Sequence, residues 1–179
     1  MKTEKTSFLL NSIPVNLTDD DAITIMDCVK QITPPNCYVE IGTGLGGSSV
    51  VAQHAVPEGI EVYTIDPDGD NILTDEKKAD LEEIGVRYIH KTSLETVREW
   101  DKPIQVLFID GDHSQAGMDF AAWEKYLIPG AIVLFHDYAI HSPDVIRDCA
   151  NVARTRGYTI LFQPTVDSTS SIFQIRKDL

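Results

Sequence analysis

From Tyr38 to Gly157 short apolar runs alternate with amphipathic segments, and that alternation leaves few architectures open. The apolar runs are Tyr38 to Ile41, Val62 to Ile65, Val86 to Ile89, Ile104 to Ile109 and Ala131 to Phe135. The last two are nearly continuous, as parallel strands covered on both faces must be. Between them the spacing predicts helices over Ser48 to Ala55, Asp75 to Ile84 before Gly85, and Leu94 to Trp100 behind a Thr92-Ser93-Leu94-Glu95 capping box. A further helix is predicted from Ala116 to Leu127, stopped by Pro129-Gly130. The last starts at Ser142-Pro143-Asp144, carries Val145, Cys149, Val152 and Ala153 on one face, and ends at Gly157. Upstream, Thr18 caps a helix that opens with Asp19, Asp20 and Asp21 and carries Ala22, Ile25, Met26 and Val29 on one face, with Pro34-Pro35 ending it. Tyr158 to Phe162 and Ser171 to Ile175 are joined by a polar loop, Pro164 to Ser170, too short for a crossover helix, which makes them antiparallel. The expected fold is α/β: a doubly wound, Rossmann-like, mostly parallel sheet with an antiparallel C-terminal hairpin strand.

With 179 residues, 42% of them apolar and 24% charged, the chain suits one domain over residues 1–179 with an ordinary core, and disorder is excluded as its main state. Residues 1–30 are expected to be a helical segment and a candidate cap over the site. A net charge of −13 with no basic cluster excludes binding to a nucleic-acid backbone. The apolar stretch from Phe8 to Val15 is broken by Asn11, Ser12 and Pro14, so neither a signal peptide nor a membrane span is expected. Cys28, Cys37 and Cys149 form no CxxC pair, and a cytoplasmic location is the expectation. Trp100, Trp123 and Tyr126 are expected in the core, with a homo-oligomer left open.

In a doubly wound sheet ligands bind beyond the carboxyl ends of the strands. The first run ends in Glu40-Ile41-Gly42-Thr43-Gly44-Leu45-Gly46-Gly47-Ser48, a glycine turn that lets backbone approach a ligand at a helix N-terminus. The second ends in Asp66, where a carboxylate can accept both hydroxyls of a ribose. Gly42, Gly44 and Gly47 also spell the GxGxxG of dinucleotide enzymes, so a nicotinamide cofactor and S-adenosylmethionine both remain open from the spacing. Glu40 favours the second, because a negative side chain repels a pyrophosphate and attracts a sulfonium and an ammonium. The fourth run leads into Asp110-Gly111-Asp112-His113 and the fifth into His136-Asp137. Adjacent strands would set Asp110 and Asp137 side by side with His113 and His136 in reach, an oxygen-rich group suited to a divalent cation.

Together these motifs resemble the class I S-adenosylmethionine-dependent methyltransferases, and more narrowly methyltransferase family 24, kin of macrolide-sugar and catechol O-methyltransferases. The resemblance rests on Glu40 to Ser48, Asp66, Ile109-Asp110-Gly111-Asp112-His113-Ser114, Trp123, Leu127, Pro129-Gly130 and His136-Asp137. It implies a strand order of 3-2-1-4-5-7-6 and S-adenosylmethionine bound by Glu40, Gly42, Thr43, Gly44, Gly46, Ser48, Asp66, Ser93 and Asp110. It also implies magnesium or manganese on Asp110, His136 and Asp137, where His136 replaces an oxygen ligand of the metal-dependent relatives. His113, with Asp110, would remove the proton of a small-molecule acceptor hydroxyl. The implied activity is O-methyl transfer; an NAD(P)-dependent oxidoreductase and a catalytically silent ligand-binding domain are the alternatives.

Overall fold

The computed structural model describes residues 8–10, 13–67, 72–137, 151, 153–165 and 167–179. The chain opens with a two-stranded hairpin, β1 (Phe8–Leu10) and β2 (Ile13–Val15), followed by α1 (Asp19–Val29). Then come β3 (Cys37–Ile41), α2 (Gly47–Ala55), β4 (Val62–Ile65), α3 (Asp75–Glu83), β5 (Val86–Ile89), α4 (Ser93–Glu99) and β6 (Ile104–Ile109). A 3-10 turn leads into α5 (Ala116–Trp123), and β7 (Leu127–Phe135), β8 (Tyr158–Phe162) and β9 (Phe173–Lys177) complete the sheet. Most of the helix predicted from Ser142 lies outside the described residues.

The seven strands lie in the order β5-β4-β3-β6-β7-β9-β8. The pairs from β5 through β7 are parallel and the two involving β9 antiparallel, which is the predicted 3-2-1-4-5-7-6 sheet. The chain leaves β3 toward β4 and returns on its other side as β6, so the switch point lies between β3 and β6. Alternation splits β3 between two cores. Val39 and Ile41 pack with Leu107, Phe120 and Trp123, while Tyr38 packs with Ile25, Val50 and Phe108 on the α1 and α2 side. Trp123 and Trp100 meet edge to face at 5.2 Å in the first of these cores.

Two expectations need correction. Residues 1–30 are not wholly helical: two apolar triplets flanking a polar pair form the β1–β2 hairpin, a signal the sequence does carry. The hairpin packs against the start of α2, directly after the glycine turn. Ile13, Val15 and Leu17 are buried in the core on the α2 side, and a Cβ on Gly47 would stand 2.7 Å from the Pro14 carbonyl. Second, the α-helical part of the segment from Ala116 stops at Trp123, a 3-10 turn continues it through Glu124–Tyr126, and Leu127 already pairs with Ile104. Pro129 and Gly130 therefore sit inside β7, beside a register shift, instead of ending a helix. No helix among the described residues is long and apolar enough to cross a membrane.

Candidate active site

The glycine turn after β3 is held by backbone. Gly42 N donates to Ile65 O and Asp110 N to Ile41 O, each at 2.8 Å, so the ends of β3, β4 and β6 are tied together. Gly42 has φ +94°, and a Cβ there would lie 2.4 Å from the Asp110 carbonyl oxygen. Only glycine allows that approach. Asp66 Oδ2 accepts from the backbone amides of Thr43 at 2.9 Å and Gly44 at 3.3 Å, which holds the turn open. The Thr43 hydroxyl bonds Thr64 at 2.7 Å beneath it.

Glu40 is fully buried under the start of α2. It accepts from the hydroxyls of Ser48, Ser49 and Tyr38. Burial outweighs those hydrogen bonds and pushes its carboxyl up to about 8. The expectation of a charged Glu40 facing the ligand is thus corrected: the side chain is sealed from the cavity and leans toward its neutral form. Ser48 and Gly46 likewise stand behind the turn, and the Ser48 hydroxyl already serves Glu40.

A cavity of about 510 Å³ opens at the switch point, with Gly42, Gly44, Asp66, Ser93, Leu94 and Asp110 in its wall. Asp112 and Asp119 line it too, so four carboxylates face this space, and among the described residues none that lines it is basic. Ser93 sits at the start of α4, where its hydroxyl accepts from Trp123 Nε1 at 2.8 Å. Burial raises the Asp119 carboxyl, against a hydrogen bond with Ser93. Sequence reasoning missed Asp119. Its one signal is an acid among the buried Ala116, Phe120 and Trp123 of α5.

The second edge is built from side chains at the ends of β6 and β7. Ligand atoms of Asp110, His113 and Asp137 all lie within 4.8 Å of one another. His113 Nε2 is 3.9 Å from Asp137 Oδ2. Asp137 has φ +55°, the one positive φ outside glycine among the described residues, and that turn of the backbone follows directly on β7. His136 lies against the same pair of carboxylates. Its Nδ1 lies 2.8 Å from Asp110 Oδ1 and its Nε2 3.7 Å from Asp21 Oδ2, so both nitrogens face carboxylates. Burial alone would lower its pKa, but the charges and hydrogen bonds of Asp110, Asp21 and Asp137 raise it to about 10. The His136 Nδ1 is also 3.7 Å from Asp137 Oδ1, and His113 adds a second imidazole at this edge. Two carboxylates and an imidazole at this separation fit magnesium or manganese, the nitrogen suiting manganese better. Asp21 was also missed; it lies on the buried stripe of α1 with Ile25 and Val29.

A sheet in this order, reversed at its last strand and open beside its glycine turn, defines the class I S-adenosylmethionine-dependent methyltransferases. Residues 39–138, more than half of the chain, match the methyltransferase domain of family 24, and the protein belongs to that family. Solved structures agree on the fold. A protein from Corynebacterium glutamicum superposes with a TM-score of 0.74 at 13% identity, over 93% of this chain and 84% of its own. The Bacillus cereus O-methyltransferase, solved in complex with SAH, gives 0.69 at 18% identity over 89% and 81%. The O-methyltransferase TomG from Streptomyces achromogenes, involved in tomaymycin synthesis and solved with SAM, gives 0.60 at 17% over 90% and 91%. No curated protein matches the chain in sequence.

Proposed function

We propose that the protein transfers the methyl group of S-adenosylmethionine to a hydroxyl oxygen of a small molecule. The observation that carries this reading is the sign of the cavity: among the described residues, its wall holds four carboxylates and no basic side chain. A pyrophosphate placed there would meet only like charge, whereas a sulfonium and an ammonium meet opposite charge. The selection that the sequence attributes to Glu40 thus falls to Asp66, Asp110, Asp112 and Asp119. The volume is within the range of small-molecule sites.

S-adenosylmethionine supplies a methyl carbon already activated for displacement, so the chain has to align an acceptor oxygen and take its proton. Asp66, kept in place by the turn amides, is set to hold the ribose, with Ser93 and Leu94 toward the base. Asp110 and Asp137 would hold a divalent cation; when bound, it would acidify the acceptor hydroxyl. His113 receives the proton, and Asp137 beside it stabilises the resulting imidazolium.

The test is thermal stability with S-adenosylmethionine, S-adenosylhomocysteine or NAD, each with and without magnesium or manganese, followed by mass spectrometry of hydroxylated small molecules incubated with the methyl donor. Stabilisation by the two sulfur ligands and a gain of one methyl on an acceptor oxygen are expected. Stabilisation by NAD alone would overturn the reading.

A further inference from the structure

One residue ties α1 to the charged edge of the site. Asp21 is 1% exposed on the buried face of its helix, although it is ionised. Its Oδ1 accepts from Ser170 Oγ and from Ser171 N, each at 2.8 Å, in the segment that leads into β9. Ser171 Oγ adds a bond of 3.3 Å to Oδ2. The same Oδ2 faces His136 Nε2 at 3.7 Å, while His136 Nδ1 lies 2.8 Å from Asp110 Oδ1. The Phe108 ring packs against the imidazole with centroids 5.8 Å apart.

We propose that Asp21 is a positioning residue, which acts through His136 to hold the Asp110 carboxylate in place at the cavity wall. The inference rests on the role given to Asp110 above. An imidazole with one carboxylate partner can turn over or change tautomer, and either change would remove the donor from Asp110. A second carboxylate 3.7 Å from the opposite nitrogen restricts that freedom by charge: in the observed orientation an anion faces each nitrogen. Asp21 is in turn held by two serines and by the cap of its own helix, where its amide donates to Thr18 Oγ1 at 3.1 Å. Three segments distant in sequence thus converge on one oxygen of Asp110. Two of them, α1 and the lead into β9, lie outside residues 39–138 that define the family. The serines make the arrangement specific. Without them Asp21 would have the His136 ring as its main partner and could follow it; with them the ring follows Asp21.

The experiment uses the full chain labelled with ¹³C at aspartate carboxyls and ¹⁵N at histidine rings, free and titrated with manganese. In the wild type the His136 ring shows an N–H proton at Nε2 that exchanges slowly with water. Asp21→Asn is expected to lose that protection, to move the Asp110 carboxyl resonance and to weaken manganese binding by about tenfold, the scale seen for residues that orient metal ligands. In a His136→Gln background Asp21→Asn should change manganese binding by less than twofold, because the path is already cut. An Asp110 resonance unmoved by Asp21→Asn, or an equal loss of affinity with and without His136, would overturn the inference. Ser171→Ala, which leaves the carboxylate in place, should shift the Asp110 resonance in the same direction by a smaller amount; no shift there counts against the inference as well. If the wild type binds no manganese, the cation reading of the site falls, while the Asp110 resonance still decides the relay.

Discussion

The two edges of the cavity solve opposite problems with opposite materials. The glycine edge, at β3 and β4, is backbone: the turn amides meet Asp66, and Gly42 touches the Asp110 peptide. The carboxylate edge, at β6 and β7, is side chain: Asp110, His113, Asp137, His136 and, from α1, Asp21. Each edge buries titratable groups almost completely, Glu40 on the first and Asp21 and His136 on the second. Burial pushes Glu40 up to about 8, because hydroxyl dipoles only partly replace water around a carboxylate. Burial also opposes charge on His136, but the carboxylates around it outweigh that and raise it to about 10. Dipoles hold a neutral group in the first edge, and full charges hold a charged one in the second.

The strongest way to break the glycine edge is Gly42→Ala. The new Cβ would meet the Asp110 backbone at 2.4 Å in a conformation that strains any L side chain. A loss of about 3 kcal/mol corresponds to roughly a hundredfold fall in S-adenosylhomocysteine affinity, measurable by calorimetry. Gly44→Ala sharpens the point. Its Cβ would have open space at φ +50°, so only about 1 kcal/mol of strain is expected there. If the two alanines cost the same, close backbone approach is not what shapes this edge.

At the other edge Asp137→Asn removes charge and keeps backbone, since asparagine tolerates the left-handed φ of +55° found there. Manganese affinity should fall by tenfold or more with the melting temperature nearly unchanged, whereas Asp137→Ala should add a stability loss of about 1 kcal/mol. His113→Gln then separates ligand from base. A base is expected to lose methyl transfer and the acid limb of its pH profile while manganese affinity holds; a fall in affinity of the same size would make His113 a ligand instead.

The contrast also explains what could be read without coordinates. Strand periods, the Thr92-Glu95 capping box and the glycine turn are local, and each appears where the pattern predicts. The sheet order came with the family resemblance, not with the periods. The charged edge is non-local: Asp21 meets Ser171 across 150 positions, and no spacing announces that. Its only trace is an acid on an apolar stripe, as for Asp119. Adjacency in sequence does bring His136 to the carboxylate pair, with Nδ1 2.8 Å from Asp110 Oδ1, but it gives no sign that the other nitrogen faces Asp21. The Pro129-Gly130 signal misled, since pairing of Leu127 with Ile104 outweighed a local stop. At Glu40 the pattern showed a carboxylate at a strand end and could not show which core would seal it.

A separate test asks whether Glu40 is neutral. Its carboxyl titrates near 4.5 when unfolded and near 8 when folded, so between those values the folded state holds a proton that the unfolded state has released. Stability then falls as pH rises through that window, and the loss is complete above about 8. Glu40→Gln keeps a carbonyl oxygen to accept from the serines, carries no proton to release and leaves the cavity wall untouched. The melting temperature of the wild type should therefore drop relative to Glu40→Gln from pH 5 to pH 8, with the curves converging at the acid end. His136 gives the opposite contribution with the same slope: its raised pKa stabilises the fold fully below about 6.5, and that gain fades as pH rises to about 10. His136→Gln should flatten the upper window and leave the lower one intact. If Glu40→Gln tracks the wild type from pH 5 to pH 8, Glu40 is ionised in the fold, and the two edges no longer differ in how they hold a buried group.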